Sequence, residues 1–415
     1  MPDEALLRRY ARLAVRVGAG LQPGQPLLVG REGRAVLPDH VPFARLLVEA
    51  AYEAGASFVE VLYGDEWSLR ETVLRGSPDL YRERCLAWVR WAERLAAGGA
   101  AFLSIPASDP DLFAGADGAR VAAAQRAFSE AFRPIAERLA ADELAWTVIS
   151  APTQAWADRV HAELPPEHRL GALWADILAC ARAAGPDPAA EWAAHRANLR
   201  RRRDWLNGLR IRQLRYEGPG TDLRVTLPEG RRWGGGEAVT PGGVAFVPNI
   251  PTEEVFTAPR RDGVEGTVRS TLPLNHGGAR IEGIRLRFEG GRVVDCAADQ
   301  GEDALRHILD TDEGSRRLGE VALVPVDSPI ARRGVVFYNT LFDENASCHL
   351  ALGRAYPMIE GGAPQGAGAW AAHGLNESLV HVDFMIGSAE LDVTARTEAG
   401  ATVPLFRAGR WAQPV

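Results

Sequence analysis

The sequence predicts an α/β N-terminal domain with an open, largely parallel sheet, followed by a β-rich α+β domain. Two observations carry this reading. Helical periodicity and short apolar runs alternate as far as about residue 206, which is the pattern of strands joined by crossover helices. After Trp205-Leu206-Asn207-Gly208 the texture changes to strand-like runs separated by turn signals. Domains are therefore expected at 1–206 and 207–415, and 415 residues are ample for two cores.

In the first half, Leu6, Leu7, Tyr10, Leu13, Ala14 and Val17 recur at helical spacing behind Asp3, a side chain suited to capping. Gly18 and Gly20 end that helix, and Pro23-Gly24 turns the chain into a strand over Pro26 to Gly30. A helix over 41–54 leads to a strand over 57–63. Helical pattern at 66–97, a strand at 101–106, a helix at 119–141 and a strand at 144–150 continue the alternation. Helices at 153–164, 167–184 and 188–206 close this half.

In the second half, strands are expected at Leu209–Glu217, Asp222–Leu227, Gly243–Val247, Val264–Leu272, Ala279–Phe288 and Arg292–Ala297. Glu289-Gly290-Gly291 supplies a hairpin turn. Helical stretches are expected at 301–313 and 345–355. The Gly- and Ala-rich stretch 362–376 reads as a loop.

Composition narrows the chemistry. A net charge of −7 argues against nucleic acid, whose phosphates require clustered cations. Arg200 to Arg203 lie on a helical pattern and read as a solvated face. The chain has no lysine, so all 47 basic residues are arginine. That excludes Schiff-base chemistry, a P-loop lysine and metal sites that use lysine. Cys85, Cys180, Cys296 and Cys348 are scattered without a C-x-x-C pair, as expected of reduced thiols in a cytoplasmic protein. Neither a signal peptide nor an apolar run long enough for a membrane span is recognised. Gly18-Ala19-Gly20 follows a helix rather than a strand, so it does not fit a dinucleotide fingerprint, and no H-E-x-x-H or G-x-S-x-G is found.

Candidate chemistry concentrates in the second half. In Asn249–Thr257, Pro251 enforces extended or turn geometry, and Glu253 and Glu254 emerge where a strand begins. Period two sends them to opposite faces, so at most one easily enters a site. Glu320 stands in the apolar strand Leu318–Pro325, where a charge is costly unless paired, metal-bound or at a solvated end. In Thr340–Gly353 a strand hands over to a helix that Asp343 or Asn345 can cap, with Glu344 and His349 converging near its first turn. His381 and Asp383 alternate with Val382 and Phe384, so they share one strand face and form either a metal pair or a surface pair. Alone, each segment also admits a bland reading of solvated acids or a packed histidine. Together, three Glu, two His and one Asp match the ligand demand of two divalent ions, Zn²⁺, Co²⁺ or Mn²⁺.

These segments carry a resemblance. Leu21-Gln22-Pro23-Gly24-Gln25, Pro251–Pro259, Leu318–Val324, Phe337–His349 and His381–Ser388 resemble the M29 family of metallopeptidases, across essentially the whole chain. The resemblance implies metal ligands Glu254, Glu320, His349, His381 and Asp383, with Glu320 bridging. It makes Glu344 a ligand or a base and Tyr356 a site residue. It also implies an aminopeptidase acting on short peptides, with two metal ions per chain, as a homodimer enclosing its sites. The expected mechanism has two ions polarising the scissile carbonyl and holding a bridging hydroxide. Glu344 or Glu253 would shuttle the proton and Tyr356 would donate to the oxyanion. Another two-metal amidase or deacylase would use the same ligands with a different pocket. The Asn275-His276-Gly277-Gly278 turn and the Ala-rich loop before His381 depart from the family pattern and bear on substrate preference.

Overall fold

The computed structural model describes residues 2–31, 34–106, 109, 111–276, 279–364 and 368–413. Gly277 and Gly278 of the departing turn, and residues 365–367 of the Ala-rich loop, lie outside the described residues. The chain forms two compact units, Met1–Ala194 with Glu237–Pro251, and His195–Gly236 with Thr252–Val415.

The first unit is an α/β layer structure. Strands β1 (Pro26–Val29), β2 (Phe58–Val61), β3 (Ala101–Ser104) and β4 (Trp146–Val148) pair in parallel in the order β2-β1-β3-β4. Before, between and after them run α1 (Glu4–Leu13), α2 (Val41–Glu53), α3 (Glu66–Arg75), α4 (Pro78–Ala97), α5 (Gly118–Ala140), α6 (Gln154–Val160) and α7 (Pro166–Cys180). The helix α8 (Pro188–Gly208) starts here and ends in the second unit. Asp3 caps α1 by accepting from the Ala5 amide. The helical span expected over 66–97 is two helices. Ser77 caps α4 and Pro78 opens it, because proline brings no amide hydrogen to continue α3. The returning segment 237–251 carries a small pair, β7 (Ala238–Val239) with β8 (Ala245–Phe246), and Asn249 bridges Val148.

The second unit holds two antiparallel sheets. The larger uses β5 (Ile211–Gly218), β6 (Thr221–Thr226), β10 (Val264–Arg269), β13 (Arg285–Glu289), β14 (Arg292–Ala297), β18 (Asp392–Thr397), β19 (Thr402–Arg407) and β20 (Arg410–Trp411), in the order β14-β13-β10-β6-β5-β18-β19-β20. The smaller uses β9 (Val255–Thr257), β15 (Leu318–Leu323), β16 (His349–Gly353) and β17 (His381–Met385), in the order β17-β16-β15-β9. A hairpin of β11 (Leu274–His276) and β12 (Ala279–Ile281) packs on β17, and α9 (Glu302–Leu309) follows β14. The strand expected over Ala279–Phe288 is thus two strands, β12 and β13. One apolar cluster joins the sheets: Leu214, Tyr216, Leu223, Val225 and Val393 from the larger, with Val255, Val321, Leu323, Leu350, Leu352, Val382 and Phe384 from the smaller. At about 1.5–3 kcal/mol per buried aliphatic side chain, this shared layer fixes which face of the small sheet looks inward.

The helix expected over 345–355 is not formed. A short α10 (Thr340–Asp343) and a tight turn over Glu344–Ala346 precede β16, whose residues are all buried and paired on both edges. Local pattern suited either period here, and the two neighbouring strands decide for extended chain. Asn339, not Asp343 or Asn345, caps α10 by accepting from the Leu341 amide.

Candidate metal centre

Alternation within the small sheet places the polar side chains on the face away from the apolar cluster. Val382 and Phe384 face the cluster, so His381 and Asp383 face away from it; Leu350 and Leu352 do likewise for His349 and Ala351. β15 needs a device to match them. Leu318, Val321 and Leu323 all face the cluster, which strict alternation forbids. A bulge between Leu318 and Glu320 shifts the parity and turns Glu320 onto the site face. Gly319 permits it, since a Cβ there would collide with the Arg354 carbonyl. Across the strands Glu320 pairs with Ala351 and Ala351 with Asp383, so one row carries two carboxylates with only a methyl between them.

The structure brings five predicted residues together. His349 Nε2 lies 3.1 Å from Glu254 Oε2 and 3.6 Å from Glu320 Oε1. His381 Nε2 lies 3.6 Å from Glu320 Oε2 and 3.6 Å from Asp383 Oδ1. Glu320 therefore presents one oxygen to each imidazole. Ligand atoms about 2.0–2.2 Å from a tetrahedral ion are about 3.3–3.6 Å apart, so this spacing suits divalent cations. Glu254, Glu320 and His349 alone form a buried triad able to hold one. Both imidazoles are also oriented from behind. Nδ1 of His349 lies 3.3 Å from the Ser347 carbonyl, and Nδ1 of His381 lies 2.7 Å from that of Arg354. A carbonyl only accepts, so each Nδ1 carries the proton and each Nε2 is left to a metal.

The electrostatics ask for cations. Glu254, Glu320, Glu344 and Asp383 are all buried in this one region. Burial pushes Glu320 up to about 6 despite its bond from His349, and Glu254 adds to the rise. Burial, then the charges of Asp383 and Glu254, drive Glu344 well above the carboxylate range. Burial opposes the charged form of His381, but Asp383, Glu320 and the Arg354 carbonyl together raise the imidazole to about 9. The oxygen and nitrogen donor set, without thiolate, fits Zn²⁺, Co²⁺ or Mn²⁺. Cys348 is packed instead, its Sγ 3.4 Å from the Val324 carbonyl.

Of the two adjacent acids, Glu254 joins the cluster. Glu253 faces His195, 3.8 Å away, on α8. Tyr356 packs edge-on against His381, with ring centroids 5.1 Å apart, and against Phe256 at 6.0 Å. Burial first, then the surrounding carboxylates, raise its phenol far above the usual value, which keeps the hydroxyl protonated. Sequence reasoning missed three features: the small residues Ala351 and Gly353 beneath the site, the Asn345 carboxamide, and His276. His276 sits on β11 against β17, where burial lowers its pKa and Asp383 partly restores it. The sequence marks it only as part of the Asn275-His276-Gly277-Gly278 turn that departs from the family pattern.

Comparison with known proteins agrees with the geometry. A profile of the family described as thermophilic metalloprotease (M29) matches residues 3–411. The chain is 46% identical over 410 residues to aminopeptidase 2 of Geobacillus stearothermophilus, covering 99% of this chain and 98% of that one. It is 46% identical over 407 residues to aminopeptidase T of Thermus thermophilus, covering 98% of each. The solved structure of wild-type AmpT from Thermus thermophilus superposes with a TM-score of 0.86 at 42% identity, covering 99% of this chain and 100% of that one.

Proposed function

The chain belongs to the thermophilic metalloprotease (M29) family and is a peptide-bond hydrolase, and from that premise we propose a two-metal aminopeptidase that trims short peptides from a free N-terminus. The observation that carries the two-metal reading is Glu320, set with one oxygen toward His349 and the other toward His381. Charge agrees with it. Glu254, Glu320, Glu344 and Asp383 carry up to four negative charges when ionised, which two divalent cations would neutralise and one would not.

In this reading Glu254 and His349 would hold one ion, His381 and Asp383 would hold the other, and Glu320 would contribute an oxygen to each. Bound there, the ions supply Lewis acidity toward the scissile carbonyl and acidify water. Glu344, buried beside Asp383 and Glu254, would take a proton from water and pass it to the leaving amine. The protonated Tyr356 hydroxyl donates to the oxyanion of the tetrahedral intermediate. The substrate's free amine seats among the acidic side chains, which limits cleavage to the first residue.

The homodimer enters this reading from the family resemblance. A cytoplasmic location enters this reading from the four buried cysteines, none of which forms a disulfide among the described residues. The test is chelation and reloading. About two equivalents of Zn²⁺, Co²⁺ or Mn²⁺ per chain should restore hydrolysis of aminoacyl anilides. Full activity at one equivalent, or in the chelated protein, would reject the two-metal reading.

A further inference from the structure

Asn345 ties together two segments that lie far apart in sequence. Its side chain is fully buried. Oδ1 accepts from the Glu253 amide at 2.7 Å, and Nδ2 donates to the Leu341 carbonyl at 3.0 Å and toward Glu344 Oε1 at 3.4 Å. Its own carbonyl accepts from Ser328 Oγ at 3.0 Å. One carboxamide therefore holds the main chain next to Glu254 and touches the carboxylate of Glu344. The Thr252–Glu254 segment precedes β9, whose ladder to β15 begins at Val255. On its other side His195 Nε2 donates to the Thr252 carbonyl at 2.7 Å.

We propose that Asn345 is a positioning residue that fixes Glu254 relative to Glu344, so that the metal ligand and the proton-transfer carboxylate share one rigid mount. Apart from the longer glutamine, no side chain presents a carbonyl acceptor and two N–H donors from one planar group. The Glu253 amide needs an acceptor, while the Leu341 carbonyl and the Glu344 carboxylate need donors, and an amide supplies both from one planar group. Aspartate keeps the acceptor and loses the donor; alanine loses both. Groups that orient ligands from behind typically change metal affinity by about 10–100-fold when removed. This inference rests on the reading of Glu254 as a ligand.

The experiment titrates the metal-free, full-length protein with Co²⁺, followed by visible absorption, beside thermal unfolding and peptidase kinetics. Parent, Glu254→Ala, Asn345→Ala and Asn345→Asp are compared. Asn345→Ala is expected to weaken one Co²⁺ binding step about 10–100-fold and to alter the ligand-field bands. Asn345→Asp should bind both ions within about threefold of the parent, because the acceptor remains. Its kcat should fall at least about tenfold with little change in KM, because Glu344 loses its donor and meets a like charge. If Glu254→Ala loses an ion but Asn345→Ala binds and absorbs like the parent, the role given to Asn345 is wrong. If Glu254→Ala itself binds like the parent, the ligand reading fails and this inference falls with it. Should Asn345→Ala not fold, Asn345→Asp decides: loss of an ion, or a parental kcat, overturns the proposal.

Discussion

Glu320 and Ala351 face each other in register across β15 and β16, and Ala351 is in turn the partner of Asp383 on β17. A methyl group thus occupies the middle of a row whose two ends are carboxylates. In the proposed two-metal reading the ions would occupy the space above it. Ala351→Val should fold, at a cost of about 1–3 kcal/mol for overpacking, yet lose at least one ion per chain. Metal analysis beside thermal unfolding checks this. Full metal content in a folded Ala351→Val would show that the ions do not sit over this row.

Gly319 connects stability to the site through the Arg354 carbonyl. A side chain at 319 would strike that carbonyl, and the same carbonyl accepts from His381 Nδ1 at 2.7 Å. Gly319→Ala should therefore lower stability by about 1–3 kcal/mol and, separately, weaken metal binding at the His381 end. Loss of stability with unchanged metal affinity would confine Gly319 to the fold.

Much of this was legible in the sequence, for identifiable reasons. His381 and Asp383 sit two apart in an alternating strand, so period two alone puts them on one face. Glu320 was legible as a charge in an apolar run, although the bulge that aims it was not, since Gly319 is silent about the carbonyl it accommodates. His349 was assigned to a helix because the run Ala346–Gly353 is short and apolar, and only pairing to β15 and β17 reveals a strand. The choice between Glu253 and Glu254 likewise depended on partners from remote segments, Asn345 and His195. The excursion of 237–251 into the first unit has no compositional mark, because a chain crossing between units needs only a few turn residues.

Tyr356 offers a test of transition-state stabilisation. Its ring is fixed edge-on to His381, and its phenol stays protonated because burial and nearby carboxylates oppose ionisation. Tyr356→Phe keeps the ring and removes the donor. The expected result is a kcat lower by about 10²-fold with KM little changed. Parental turnover in steady-state kinetics would reduce Tyr356 to a packed aromatic.

The pH dependence of the metal-free protein has a definite sign. His381 is raised to about 9, above the 6.5 of an unperturbed imidazole, by Asp383, Glu320 and the Arg354 carbonyl against the opposing effect of burial. Its contribution to stability is then full below 6.5 and lost as pH rises through about 9. Glu320, raised by burial to about 6, also binds its proton more tightly when folded, so its effect declines with pH between 4.5 and about 6. With His381 as the proposed ligand, metal binding should run the other way, because an ion would displace its proton, and affinity should climb with pH until about 9. Thermal unfolding of chelated and loaded protein between pH 6 and 9 (roughly the window of the His381 shift) should therefore diverge, the loaded form gaining on the chelated one. Parallel profiles would mean that His381 is not a ligand.

The proposed restriction to free N-termini would follow from the same charge distribution. Glu254, Glu320, Glu344 and Asp383 leave the site acidic before any ion enters, and even two divalent ions bring it only to neutrality if all four ionise. A substrate ammonium then meets no net repulsion and finds carboxylates to pair with, while its neutral form offers a lone pair to an ion. Acetylation removes both the charge and the lone pair, and adds bulk where the first residue must end. N-acetylated peptides should accordingly lose at least ~3 kcal/mol of transition-state stabilisation, more than about a hundredfold in kcat/KM. Folded proteins should be spared as well, if dimerisation encloses the site and admits only short flexible chains. A free tetrapeptide, its acetylated twin and an intact folded protein, compared at equal concentration by mass spectrometry of the products, separate these cases. Stepwise loss of the first residue from the free peptide alone is the expected outcome. Comparable cleavage of the acetylated twin would instead assign the ligands to an amidase or endopeptidase, since nothing but the amine distinguishes the two peptides.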